Sequence, residues 1–185
     1  MTHWLHFIGN NYKDDYRFIL EARRNGITRN IPAQTARGFH YGDTVQLLRW
    51  KRGGKLVYAF AEMVVNQVTL PKELSDKVAE ALKDRISIHY DPSPLHIDRD
   101  CGSYDICGTL TVEGDIDIPD IIKVAQEIAK DEKFRCMIGG RLLKVYDAPI
   151  KFPGVKFTRG FQKGNYRDHI EDVKQIVGIE NYRRK

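Results

Sequence analysis

This sequence is poor in the features that would cross-link a chain, anchor it or make it repetitive. Of 185 residues only three are cysteine, Cys101, Cys107 and Cys136. An odd and sparse set argues against a disulfide framework and predicts reduced thiols in a cytoplasmic compartment. No apolar run approaches the roughly 20 residues that a membrane-spanning helix needs, so no membrane partner is expected. The opening Met1-Thr2-His3-Trp4-Leu5-His6-Phe7-Ile8 is too short and too punctuated for a secretory leader. There is no internal repeat, no low-complexity tract, no Gly-x4-Gly-Lys phosphate loop and no nucleophile elbow around Ser93 or Ser103. What is present is 42% hydrophobic and 30% charged residues, the balance of a soluble globular chain of one domain.

The charge is sorted along the chain. Residues 1–56 carry ten Lys/Arg against four Asp/Glu, residues 57–132 seven against sixteen, and residues 133–185 thirteen against five. The formal net charge of +5 therefore hides two basic ends around an acidic middle. If the fold joins those ends, it creates a positive face that attracts a polyanion, most often nucleic acid.

Punctuation and periodicity outline the elements. Trp4 to Ile8 reads as a strand, and residues 12–25 as a helix with an apolar stripe of Phe18, Ile19 and Ala22, closed by Arg23-Arg24-Asn25-Gly26. A loop over 27–32 follows. Thr44 to Trp50 and Lys55 to Leu70 read as a hairpin about Gly53-Gly54, and Pro71 opens a helix with Leu74, Val78 and Leu82 at helical spacing. Residues 85–119 are read as strands joined by loops, with 104–112 the clearest strand. Pro119 to Asp131 reads as a helix, then come strand-like runs at 134–138, 142–146 and 155–158, and a last helix over 168–178. The fold class expected is α+β, a mixed and mainly antiparallel sheet or small β-barrel with peripheral helices, as a single domain over 1–185 with an acidic insertion at about 71–132.

Three stretches carry a family resemblance. Gly26-Ile27-Thr28-Arg29, Gly42-Asp43-Thr44-Val45-Gln46-Leu47 and Tyr58-Ala59-Phe60-Ala61-Glu62-Met63-Val64-Val65-Asn66-Gln67-Val68 together resemble the PUA-like superfamily, with ASCH and EVE domains as its nearest-looking members. The resemblance covers about residues 4–70. It implies a small barrel with a cleft for RNA, or for a modified or extruded base in RNA or DNA, in which the two chain ends meet. No Lys precedes Thr28, which departs from the usual ASCH pattern. The reading that follows is a nucleic-acid binder without catalytic residues, metal or cofactor. One alternative is an ASCH-type enzyme acting on a modified nucleoside, with Thr28, Arg29 and Glu62 as candidates. Another is a protein-interaction module that docks a basic partner on its acidic middle.

The candidate contacts follow from chemistry. Over residues 151–167, Lys and Arg alternate with Phe, Tyr and Gly, so cations can hold phosphates while rings stack on bases. Phe152, Phe157 and Phe161 are expected mainly in the core, which leaves Lys156, Arg159 and Lys163 as contacts. Arg29 is expected across the cleft from Arg159. Trp50 and Tyr12, with Trp4 and Tyr41, are cage aromatics, and Asn10 and Asn11 can reach a base edge, although core packing and turn formation account for the same residues. The spacing His89-x6-His96-x4-Cys101-x5-Cys107 is too loose for a compact zinc site, and Asp98, Asp100 and Asp105 read as solvated turns.

Overall fold

The computed structural model describes residues 1–8, 25–27, 31–50, 57–91, 107–152, 161–163 and 176–177. The chain divides into two compact units. Unit 1 comprises Met1–Gly26, Asp43–Val64 and Gly140–Lys185; unit 2 comprises Ile27–Gly42 and Val65–Gly139. Two long strands, β5 (Val57–Pro71) and β8 (Arg135–Phe152), each give one end to each unit.

In unit 1, β1 (His3–Ile8) runs parallel to β4 (Thr44–Trp50), with Trp4 opposite Val45 and His6 opposite Leu47. On its other side β1 pairs antiparallel with β9 (Phe161–Lys163), His6 opposite Phe161 and Trp4 opposite Lys163. Strand β4 pairs antiparallel with the first part of β5, and a bulge between Leu47 and Leu48 shifts the register. The short β10 (Ile176–Val177) pairs with β8 at Tyr146 and Val145. The strand order is β10-β8-β5-β4-β1-β9, and among the described residues no pairing joins β9 to β10, so the order is open. Val45, Gln46, Leu47 and Leu48 are all buried in succession, which marks β4 as covered on both faces.

In unit 2, the second part of β5 pairs antiparallel with β7 (Cys107–Val112), and β7 with β6 (Ile86–Asp91). The two-residue β3 (Ile31–Pro32) pairs with the start of β8. Helix α1 (Ala33–Ala36) packs on α3 (Ile118–Ala129), while α2 (Lys72–Leu82) packs on α3, β6 and β7. Helix α2 starts where Pro71 ends a strand and fixes the backbone ahead of the first turn. Helix α3 starts at a capping box: the Asp117 carboxylate accepts from the helix's first N–H groups and the Asp120 side chain accepts from Asp117 N at 3.1 Å. Its stripe of Ile118, Ile121, Ile122 and Ala125 is buried, and burying a side chain of this size contributes about 1.5–3 kcal/mol.

The protein is thus mixed α+β with mostly antiparallel pairing, as its sequence predicts, and several local expectations are corrected. Asn25–Ile27 form a strand, β2, paired with β8, where a helix cap is expected; the rest of that helix lies outside the described residues. Ile31–Pro32 form a strand at the end of what reads as a loop, and Ala33–Ala36 form a helical turn where the sequence gives no element. The runs expected at 134–138 and 142–146 belong to one continuous strand that begins at Arg135, since Gly139-Gly140 stay in the ladder and do not break it. Ile176 and Val177 are strand, not helix, because pairing with Val145 and Tyr146 overrides a short apolar periodicity. The expected strand at 155–158 and the Gly53-Gly54 turn lie outside the described residues.

Candidate nucleic-acid interface

The β9–β1 pairing lays a strand from the C-terminal basic segment directly against one from the N-terminal basic segment. Charge also divides with the units: unit 1 carries 19 Lys/Arg against 10 Asp/Glu, and unit 2 carries 11 against 15. The positive excess lies in the unit where the two basic ends pair.

At the β9–β1 contact, Lys163 is exposed and its Nζ lies 5.3 Å from the centre of the Trp4 ring, within cation–π range. Trp4 is buried. Its indole N–H donates to Asp43 Oδ2 at 3.0 Å, and Asp43 Oδ1 accepts from the Thr2 backbone N–H at 2.7 Å. Thr44 N donates to Thr2 O at 3.1 Å, and His3 Nδ1 lies 2.6 Å from Thr44 Oγ1. Gly42 takes the left-handed backbone, φ 86°, that turns the chain into Asp43. The buried Asp43 therefore holds the first residues of the chain in place, and with them the ring beneath Lys163.

A second polar group lies one row away, where Leu5, Gln46 and Glu62 are successive partners across β1, β4 and β5. Gln46 is buried and its Nε2 donates to Ala61 O at 3.1 Å. Glu62 is 5% exposed, and its Oε2 stands 3.9 Å from Lys144 Nζ on β8, whose side chain is 43% exposed. A buried carboxylate is retained only with compensating charge or hydrogen bonds, and Lys144 supplies charge from the solvent side. Chemically the pair offers a carboxylate to accept a proton and a cation to stabilise developing negative charge.

Of the candidates from sequence, Lys163 stands on β9 beside Trp4, and Trp50 ends β4, its backbone opposite Val57. Trp4 is a packed residue hydrogen-bonded to Asp43, while Tyr41 is 58% exposed. Asn10, Asn11, Tyr12, Thr28, Arg29, Lys156 and Arg159 lie outside the described residues, as do His96 and Cys101. Cys107 and Cys136 are buried and not joined in a disulfide. Sequence reasoning passed over Lys144 and Asp43 as site residues. Asp43 carried a signal, an acidic residue in a Gly-Asp turn entering an apolar strand, whereas nothing local marks Lys144 as the partner of Glu62. Among the described residues no helix is long and apolar enough to cross a membrane. Comparisons with protein-family models, curated proteins and solved structures give no match.

Proposed function

We propose that this protein binds nucleic acid through unit 1, as a PUA-like fold whose cleft receives RNA or an extruded, modified base. The observation that carries the reading is the antiparallel pairing of β9 with β1, which unites the two basic ends of a charge-sorted chain and sets Lys163 over Trp4. A surface of this kind holds phosphates with mobile cations and leaves base recognition to rings and amides nearby. On this reading Lys156, Arg159 and Lys163 are the candidate phosphate contacts, Arg29 contributes to binding the same ligand, and Asn10, Asn11, Tyr12 and Trp50 are the candidate base contacts.

The test is fluorescence anisotropy with labelled single-stranded RNA and DNA oligonucleotides at two ionic strengths. Cation–phosphate contacts release counterions, so affinity falls steeply as salt rises. Equal affinity at both salt concentrations, or no binding at either, would sink the reading.

The Glu62–Lys144 pair favours a second reading, an ASCH-type hydrolase of N-acylated nucleosides. Glu62 would take a proton from water as it attacks the acyl carbon, and Lys144 would stabilise the oxyanion; the C–N bond then breaks and the proton passes to the departing nitrogen. Release of free nucleoside from an N-acylated one, abolished by Glu62→Gln, distinguishes the enzyme from the binder.

A further inference from the structure

Unit 2 holds a cavity of about 1030 Å³ between the start of α2 and the segment where α3 ends and β8 begins. We propose that this cavity is a binding site for a small amphiphilic anion, an aromatic or aliphatic body carrying a phosphate, and that it is separate from the basic surface of unit 1.

Three observations point to that ligand. The first is charge. The lining has four cations, Lys77, Lys130, Lys133 and Arg135, against Glu73 and Glu132, although unit 2 as a whole carries more acid than base. Glu73 is already engaged, since its Oε1 lies 3.0 Å from Lys77 Nζ. Beside that pair the exposed Lys130 and Lys133 line the space with Glu132, in a unit that carries more acid than base overall. The second is the apolar lining. Leu74, Ile128 and Phe134 are each only half-buried and line the same space as those cations. The third is size: small-molecule sites usually measure about 300–1,000 Å³, so the space suits a phosphorylated aromatic compound of modest mass.

The chemistry divides the ligand in two. An anionic head meets the exposed Lys130 and Lys133, which reach into solvent on long flexible stems and close on a phosphate as point charges. The body settles against Leu74, Ile128 and Phe134, removing from water the apolar area that the fold leaves open. Neither half suffices alone, because an exposed cation–phosphate contact is screened by salt and a bare apolar contact gives no orientation.

Amide and methyl NMR of the full-length chain, titrated with phenyl phosphate, tests the proposal. Saturable shifts are expected at Leu74 and Ile128 methyls and at backbone amides 130–135. Benzyl alcohol and inorganic phosphate, each carrying half the chemistry, are expected to bind at least about tenfold more weakly than phenyl phosphate. The double variant Lys130→Glu/Lys133→Glu should weaken phenyl phosphate by about tenfold or more, while Lys83→Glu, a charge reversal elsewhere in unit 2, should not. Far-UV circular dichroism establishes that both variants are folded; because the two lysines are exposed, their reversal is compatible with the fold. No saturable shift with millimolar phenyl phosphate overturns the site. Equal affinity for the parent and the double variant overturns the cationic head. Equal affinity for phenyl phosphate and inorganic phosphate overturns the amphiphilic assignment.

Discussion

Trp4 and Asp43 are joined by a 3.0 Å hydrogen bond from the indole N–H to a carboxylate that is itself almost wholly buried. The other oxygen of Asp43 holds the backbone N–H of Thr2, so one side chain fixes both the ring beneath Lys163 and the start of β1. Asp43→Ala leaves these donors without that acceptor and should destabilise unit 1 by about 1–3 kcal/mol. Asp43→Asn keeps one acceptor and should cost less. Urea denaturation followed by tryptophan fluorescence measures both, and a neutral Asp43→Ala would show that the contact is incidental.

Nucleic-acid affinity should respond to Arg29 and Arg159 together. Each changed to Ala should weaken binding by about 1–3 kcal/mol if it meets a base edge, and by less if it meets only phosphate. The double variant should show coupling, because the two residues would share one ligand. Lys163→Ala should reduce the salt dependence of binding as well as its strength. Parent-like binding by all of these folded variants would move attention to the Arg183-Arg184-Lys185 tail.

Gly108 is a packing requirement. A Cβ there would stand 1.9 Å from Ser75 Oγ and 2.5 Å from Ser75 Cβ. Ser75 is buried in α2 and its hydroxyl donates to Lys72 O at 2.7 Å, so the helix itself must move to make room. Gly108→Ala should cost about 1–3 kcal/mol in chemical denaturation. Adding Ser75→Gly removes the clashing atoms, so the double variant should lose less than the two single losses combined.

The cap of α3 should be sensitive to acid. Burial raises the Asp117 carboxyl, but bonds donated by Tyr41 N, His40 and Ile118 N outweigh it and hold the group below the ordinary aspartate value. A depressed folded-state pKa contributes stability above the unfolded value and loses it as pH falls through the folded one. Asp117→Ala should therefore cost about 0.5–2 kcal/mol at neutral pH, and the gap between variant and parent should close at strongly acidic pH. Thermal melts at neutral and low pH decide this; a gap that widens in acid contradicts the assignment.

What could be read from sequence follows the range of the interactions involved. Thr44 to Trp50 is legible because β-branched and apolar residues follow a Gly-Asp turn, and the helix after Pro71 because Leu74, Val78 and Leu82 recur at its period. The same reasoning fails at Asn25–Ile27 and Ile176–Val177, where short segments become strands only because β8 offers an edge to pair with. It splits β8 at Gly139-Gly140, since propensity penalises glycine and the ladder's neighbours are invisible in one dimension. The site divides likewise. The basic ends are a compositional signal, and Lys163 follows from it. The Glu62–Lys144 pair joins β5 to β8 and has no local signature.

The partnership of β1 with β9 has a consequence for the order in which the molecule is made. Lys163 emerges 159 residues after its partner Trp4. At about 5–20 residues per second of synthesis, one side of β1 waits roughly 10–30 s for its strand. Over that interval β1 can take β4 on one side, yet its opposite row of N–H and C=O groups stays open to any other extended chain. A nascent chain is thus open to mispairing along this side of β1 until β9 has been made, and a chaperone that shields His3–Ile8 over that interval would raise the yield more than one that acts later.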